Sequence, residues 1–132
     1  MFARSILFLL LCFVPVFPFQ SPAAETPDKS CRQHPQLVGK CFNVHGRLSV
    51  YNGAPAMRIW KTGTKRMLGI SEQRFALPGY RNIPDDVRSQ VNQEVDLFGD
   101  FLVCPFTRPQ AGAMQLVCIE AGKNLKAQKR TQ

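Results

Sequence analysis

The stretch that decides the fold is FNVHGRLSVYNGAPAMRI, residues 42–59. In its first half, apolar side chains alternate with polar ones, which predicts a strand with one buried face. Asn52 and Gly53 follow, and this dipeptide favours a two-residue hairpin turn, because both positions of such a turn need a positive φ. A turn of that length sets Leu48 opposite Met57 on the apolar face. We therefore predict that the chain folds around a tight first hairpin.

The same register predicts the solvent-facing side of this hairpin. It places Arg47 opposite Arg58 and His45 opposite Trp60, the only tryptophan of the chain. Like charges directly opposite each other destabilise a sheet unless a carboxylate or an anionic ligand neutralises them. Basic residues among aromatic ones suit single-stranded nucleic acid or a sulfated or phosphorylated glycan, because aromatic faces stack and cations neutralise charge. We predict a binding surface made of His45, Arg47, Arg58, Trp60, Lys61, Lys65 and Arg66.

An alternative interpretation treats this face as an ordinary solvated surface. Trp60 would then be covered by the stem of an arginine, and Glu72 or Asp100 would balance the charge. Two further classes of function stay open. One is an envelope protein that acts by protein–protein contact, such as an inhibitor, and the other is a nuclease-like hydrolase that depends on His45 or Asp100. We expect no enzyme, because the sequence offers no Ser–His–Asp or Cys–His arrangement and no glycine-rich phosphate loop.

Beyond the hairpin, the pattern predicts three more strands and one short helix. The strands cover residues 65–70, 97–105 and 114–120. The helix begins at Pro84, whose missing N–H is harmless at the first helical position. Valines spaced four residues apart extend this helix to about residue 95.

Three strands, a helix and two more strands follow the order of the OB-fold, a five-stranded Greek-key barrel. We therefore predict a mainly β protein with one short helix (β-β-β-α-β-β), whose OB-like barrel covers residues 37–121. Residues 25–36 are polar and contain two prolines, which predicts an extended lead-in. Residues 122–132 are basic with almost no apolar side chain, which predicts a flexible tail. The chain resembles small exported bacterial OB-like proteins that have no assigned activity.

A shorter run, RMLGISE at residues 66–72, is similar to the arginine-x-leucine-glycine-isoleucine run of staphylococcal-nuclease-like domains, which are also OB barrels. That family binds calcium through an aspartate-glycine-aspartate on an earlier strand, where this chain has His45, Gly46 and Arg47. The acidic residues expected after the isoleucine are also missing, apart from Glu72, which is out of place. The resemblance therefore supports the barrel and implies that the metal ligands and the phosphodiesterase chemistry are absent.

The first 24 residues have the features of a cleaved signal peptide. Arg4 supplies a positive charge, residues 6–14 form an apolar core, and residues 21–23 include the small side chains that a signal peptidase recognises. The apolar run is too short to span a bilayer. We therefore predict a protein that is exported to the periplasm or secreted, and not an integral membrane protein.

Four cysteines remain once the leader, which contains Cys12, is removed: Cys31, Cys41, Cys104 and Cys118. An even number in a small exported domain predicts two disulfides. The local pairing joins Cys104 to Cys118 across the last hairpin and Cys31 to Cys41. A crossed pairing of Cys31 with Cys118 or Cys104 stays open. The sequence contains no close C-x-x-C pair, so we expect no zinc site.

The composition favours an anionic partner. The chain has a formal net charge of +8 at pH 7, and the leader contributes only Arg4 to it. Phospholipid head groups, nucleic acid, acidic glycans and acidic proteins all carry the complementary charge. The alternative is that the basic balance only keeps the domain soluble. No feature of the sequence requires a cofactor.

Overall fold

The computed structural model describes residues 14–22 and 29–131. The predicted signal peptide, residues 1–24, therefore lies largely outside the described residues. Strands dominate the described chain, which confirms the prediction of a mainly β protein with five strands and one short helix. The elements are, in chain order, a 3-10 turn at Cys31–Gln33, β1 at Phe42–Val50, β2 at Met57–Lys61, β3 at Met67–Ile70, α1 at Asp85–Arg88, β4 at Val95–Pro105 and β5 at Gln115–Lys129.

The five strands close into a ring in the order β1-β2-β3-β5-β4, and β4 pairs back to β1. Neighbouring strands are antiparallel except β3 and β5, which are parallel. Every second residue of β1 faces the interior, where Val44 and Leu48 are buried. Apolar side chains from all five strands fill this interior, and Val87 of α1 packs against them. The alternate, mostly polar residues of β1 are therefore left on the outside of the ring.

The first hairpin forms, but its turn is wider than predicted. Leu48 lies opposite Ile59, two residues further along β2 than the tight turn would place it. The closing hydrogen bond runs from the Tyr51 amide to the Ala56 carbonyl at 2.7 Å. Pro55 explains the difference, because it has no N–H and cannot donate in the ladder. A displacement of two residues keeps every side chain on its predicted face, since strand residues alternate with a period of two.

The helix is shorter than predicted and is only four residues long. Asn92 prevents its continuation, because the side-chain oxygen of Asn92 accepts hydrogen bonds from the amides of Glu94 and Val95 at 2.8 and 2.9 Å. A turn of this kind competes with helical hydrogen bonding. Val91 is buried outside the helix, and Val95 begins β4. The three evenly spaced valines, Val87, Val91 and Val95, therefore lie in the helix, in the loop after it and in β4.

The last strand is longer than predicted, since β5 runs to Lys129 and not to residue 120. The second half of β5 pairs with the first half of β4, and the last pair places Lys129 opposite Val95. The prediction of a flexible tail over residues 122–132 is therefore wrong for residues 122–129. Few apolar side chains hold this segment, but Leu125 packs against the core and the backbone pairs with β4.

Both disulfides join the segment before β1 to the last two strands. Cys31 bonds Cys118 on β5, and Cys41 bonds Cys104 on β4. The local pairing is therefore wrong, and the crossed pairing is the one that forms. Cys104 and Cys118 do lie opposite each other, but each is bonded to a cysteine before β1. The predicted lead-in folds into the 3-10 turn at Cys31–Gln33 and is not simply extended. The two disulfides indicate an oxidising, exported environment.

Candidate functional site

A row of alternating aromatic and basic side chains crosses the outside of the ring. Arg47 on β1 lies opposite Trp60 on β2 and opposite Phe98 on β4. Phe98 in turn lies opposite Lys126 on β5. Residues paired across a sheet share a face, so these four side chains lie side by side on the outer surface. We call Trp60, Arg47, Phe98 and Lys126 the outer row.

The centre of the outer row is the contact between Arg47 and Trp60. The guanidinium carbon of Arg47 lies 5.3 Å from the centre of the indole ring, within the range of a cation–π contact. The indole N–H donates to the Thr64 carbonyl at 2.7 Å, which fixes the orientation of the ring. This contact agrees with the alternative interpretation, in which an arginine covers Trp60. Glu72 takes no part in it, since its carboxylate binds Arg88 elsewhere.

The predicted opposition of Arg47 and Arg58 does not form, because β2 is displaced by two residues. Arg58 lies opposite Ser49 instead. Its guanidinium lies 5.0 Å from the centre of the Tyr51 ring, and its Nε–H donates to the Pro55 carbonyl at 3.0 Å. Arg58 is therefore turned toward the loop between β1 and β2 and stays outside the outer row.

Asp96 on β4 is the carboxylate nearest to the outer row, and two arginines share it. Arg130 Nε–H donates to Asp96 Oδ1 at 2.7 Å, and a second Arg130 nitrogen donates to the Val50 carbonyl at 2.9 Å. Arg47 Nε lies 3.9 Å from Asp96 Oδ2, which is too far for a hydrogen bond. The Asp96 side chain is only 9% exposed. Arg130 also lies 5.6 Å from the centre of the Tyr51 ring. Three contacts therefore hold Arg130 firmly, whereas Arg47 is held loosely at Asp96.

His45 pairs with Asp100 and not with Trp60. The imidazole Nδ1–H donates to Asp100 Oδ1 at 2.7 Å, and the Asn124 side-chain amide donates to Asp100 Oδ2 at 2.9 Å. The hydrogen bond from Asn124, followed by that from His45, lowers the pKa of Asp100, because both favour the ionised carboxylate. Both partners of the His45–Asp100 pair remain substantially exposed. The pair balances charge at the edge of the outer face.

The other three predicted residues lie away from the outer row. Lys61 shares the strand face of Ile59 and lies at one end of the ring, where it lines a cavity together with Arg66. Lys65 lies in the turn between β2 and β3, beside a second cavity that is also lined by Arg66. The predicted seven-residue surface is therefore divided into an outer face, a loop contact and a basic end of the ring.

Sequence reasoning missed Phe98 and Lys126. The sequence predicts a strand at Phe98 without predicting its face, and it predicts a tail at Lys126. The signal for Phe98 was its alternation with Leu97 and Gly99 along β4, which puts it on the outside once Leu97 is buried. No local signal marks Lys126, because its place depends on the pairing of β5 with a strand that lies about 30 residues earlier in the chain.

Metal binding gains no support from the described residues. Within residues 14–22 and 29–131, the group of three ligand-type side chains that lie close together is Cys31, Cys104 and Cys118. All three are in disulfides, so none is available as the thiolate that a metal requires. His34 is buried and fully hydrogen-bonded, with Nε2 donating to the Phe75 carbonyl at 3.0 Å and Nδ1 accepting from a backbone amide at 3.2 Å.

Comparison with known proteins finds no matching family, no similar curated protein and no similar solved structure. No helix within the described ranges, 14–22 and 29–131, has the length and apolarity needed to cross a membrane.

Proposed function

We propose that this protein is a small exported OB-like binding module that recognises an anionic ligand or partner through the outer row and the basic residues beside it. The strand order β1-β2-β3-β5-β4, with a helical turn between β3 and β4, supports the assignment to OB-like barrels. Proteins of that architecture commonly bind extended ligands across one face of the barrel.

The observation that carries the proposal is the alternation within the outer row. Trp60 and Phe98 flank Arg47, and Lys126 follows Phe98. An extended anion can place rings on the two aromatic side chains and its charges near the two cations. Stacking of a base on an aromatic side chain contributes about 1–3 kcal/mol per base, so two such contacts support measurable binding.

Charge on this face remains positive after its carboxylates are counted. Asp96 binds Arg130, and Asp100 binds His45. Among the described residues, Arg58 and Lys126 have no carboxylate within ion-pair distance. These two cations are therefore available to an anionic ligand.

The loops of this protein direct binding away from the usual face of β2 and β3. A side chain added at Gly69 on β3 would lie 2.5 Å from Pro55 and 2.9 Å from the sulfur of Met114. Pro55 and Met114 therefore cover β3 on the outside. The surface that stays available to an extended ligand is formed by β2, β1, β4 and β5, which the outer row crosses.

The test is a binding array with the exported protein, using oligothymidylate, heparin and anionic phospholipid vesicles. We expect salt-dependent binding to one of these classes, because release of counterions drives binding to a polyanion. The double variant Arg47→Ala/Lys126→Ala should weaken that binding about tenfold or more. The matched control is Lys61→Ala/Lys65→Ala, which removes the same charge from the end of the ring. Equal weakening by both variants would contradict a site on the outer row.

A second candidate function is docking to another envelope protein. The observation that favours it is a surface groove whose apolar lining comes from Ala76, Leu77, Pro78, Tyr80 and Ile83, and whose polar lining comes from Glu72, Arg81, Asn82 and Arg88. Apolar surface with a polar rim is common at protein contacts. The array separates the two functions. Docking would be supported if no polyanion binds and if the unmodified protein, but not Leu77→Asp, captures an envelope protein.

A further inference from the structure

The outer face contains buried polar atoms without partners. Within the described part of the chain, the buried side-chain polar atoms that lack a hydrogen bond are Arg47 Nε, Ser49 Oγ and Asn82 Oδ1. The first two lie two residues apart on β1, on the same outer face. Ser49 is only 2% exposed. A buried hydroxyl without a partner destabilises a fold, so its presence requires a reason.

Arg47 and Ser49 border a groove of about 330 Å³ beside the outer row. Its charged lining residues are Arg47, Asp96, Lys129 and Arg130, and its polar ones are Ser49, Tyr51, Gln128 and Thr131. Three cations and one carboxylate give this lining a net charge of +2. The groove therefore combines the charge of a dianion site with a hydroxyl that has no partner.

We infer that this groove binds the dianionic head of a phosphate monoester, an inference that rests on the proposed function and names the ligand group of that same face. A phosphate monoester carries close to two negative charges above about pH 6. When the ester is fully ionised, its three terminal oxygens act only as hydrogen-bond acceptors, and they match guanidinium groups in geometry. Sulfate esters and phosphodiesters carry one negative charge and match the lining less well.

Arg47 is the side chain that moves. Among the described residues, its one acidic contact is that of 3.9 Å to Asp96, so apart from the Trp60 ring little holds it in place. Turning its guanidinium toward a phosphate in the groove gives it charged acceptors, and the Ser49 hydroxyl, which borders the same groove, then donates to the same phosphate. Arg130 keeps its bonds to Asp96 and to the Val50 carbonyl and presents its remaining N–H groups to the ligand.

The test compares phenyl phosphate with phenyl sulfate, two probes of similar shape that differ by one charge at pH 8. Binding is measured by calorimetry and by the NMR shifts of the backbone amides. We expect phenyl phosphate to bind about tenfold more tightly, because the second charge interacts with a lining of net positive charge. Lowering the pH below about 6 should remove the preference, since phosphate then loses its second charge. Equal affinity for both probes at pH 8 would overturn the inference.

The variant Ser49→Ala tests the hydroxyl directly. We expect it to weaken phenyl phosphate binding about tenfold, the usual effect of losing a hydrogen bond to a charged group. It should leave the urea midpoint unchanged or higher, because the deleted hydroxyl has no partner in the unliganded protein. Lys123→Ala is the control, since Lys123 lies on the same strand as Lys129 but does not line the groove. Unchanged phosphate binding by Ser49→Ala would also overturn the inference.

Two further arms identify the source of the phosphate. One compares 5′-phosphorylated oligothymidylate with an unphosphorylated oligomer of equal charge, and the other compares vesicles containing phosphatidic acid with vesicles containing phosphatidylglycerol. A preference in either arm supports the inference and names the source, and a preference for phenyl phosphate alone indicates a small soluble ester. If both phenyl probes bind equally but oligothymidylate binding survives, the inference fails and the proposed function stands. If no polyanion binds either, both fail.

Discussion

Two buried polar side chains, His34 and Ser49, differ in how their hydrogen bonds are satisfied. His34, beside the cysteines, is 3% exposed, and both of its ring nitrogens are hydrogen-bonded. Ser49, on the outer face, is 2% exposed, and its hydroxyl has no partner. The comparison contrasts a buried side chain whose hydrogen bonds are made within the fold with one whose hydroxyl has no partner. We propose that the cysteine end around His34 serves stability and that the outer face serves binding.

The largest expected effect on the free energy of unfolding comes from removing a disulfide at the cysteine end. Cys31 and Cys118 are 87 positions apart, but the Cys41–Cys104 disulfide lies within that span, so the further loop that their bond closes in the unfolded chain has about 25 residues. On the chain-entropy model, Cys31→Ala/Cys118→Ala should cost about 3–4 kcal/mol of unfolding free energy. Urea denaturation measures this loss. The variant should still bind polyanions under folding conditions, and a loss of binding in the folded variant would contradict the separation of the two regions.

A smaller effect is expected from the buried histidine itself. His34→Ala removes the partner of the Gln36 amide and leaves the Phe75 carbonyl with the longer bond from Asn82 Nδ2 at 3.3 Å. It also removes the edge contact of the His34 ring with Phe106. We expect a cost of about 2–3 kcal/mol from the lost hydrogen bonds and the lost packing of a buried ring. Urea midpoints of His34→Ala and Ser49→Ala, measured side by side, check the comparison directly. Equal destabilisation by the two variants would show that the two regions do not differ.

The smallest effect concerns the pH dependence of stability. Hydrogen bonds from Asn124 and His45 lower the pKa of Asp100, so the ionised form is favoured in the folded state. The resulting stabilisation is present above the unfolded pKa of an aspartate, about 3.9, and is lost as the pH falls through the lower, folded pKa. Asp100→Asn should therefore lose less stability than the unmodified protein when the pH is lowered below about 4. Since the pair is exposed, the difference should be small and reduced by salt. A steeper acid loss in Asp100→Asn would contradict the sign.

Much of the fold could be predicted from the sequence, because alternation of apolar residues is a local signal. The pattern in β1 identified both its buried face and the outward position of Arg47. Register depends on the turn, and there Asn52-Gly53 was outweighed by Pro55, which cannot donate in the ladder. Alternation with a period of two preserved the faces despite the error.

The remaining errors concern features that depend on distant parts of the chain. The disulfide pairing could not be predicted, because the position of Cys31 over β5 is set by the folded ring. Asn92 interrupted a valine spacing that is typical of a helix. Lys126 joined the outer row only because β4 holds the end of β5, which by itself has the composition of a tail.

The most direct test uses the single tryptophan as a reporter of the outer row. Because the chain has one tryptophan, all indole fluorescence comes from Trp60. A ligand that stacks on this face and draws Arg47 away from the ring should change the emission in a saturable manner as oligothymidylate or heparin is added. We predict such a change in the unmodified protein and its loss in Arg47→Ala/Lys126→Ala. Binding detected by calorimetry with no change in Trp60 emission would contradict it.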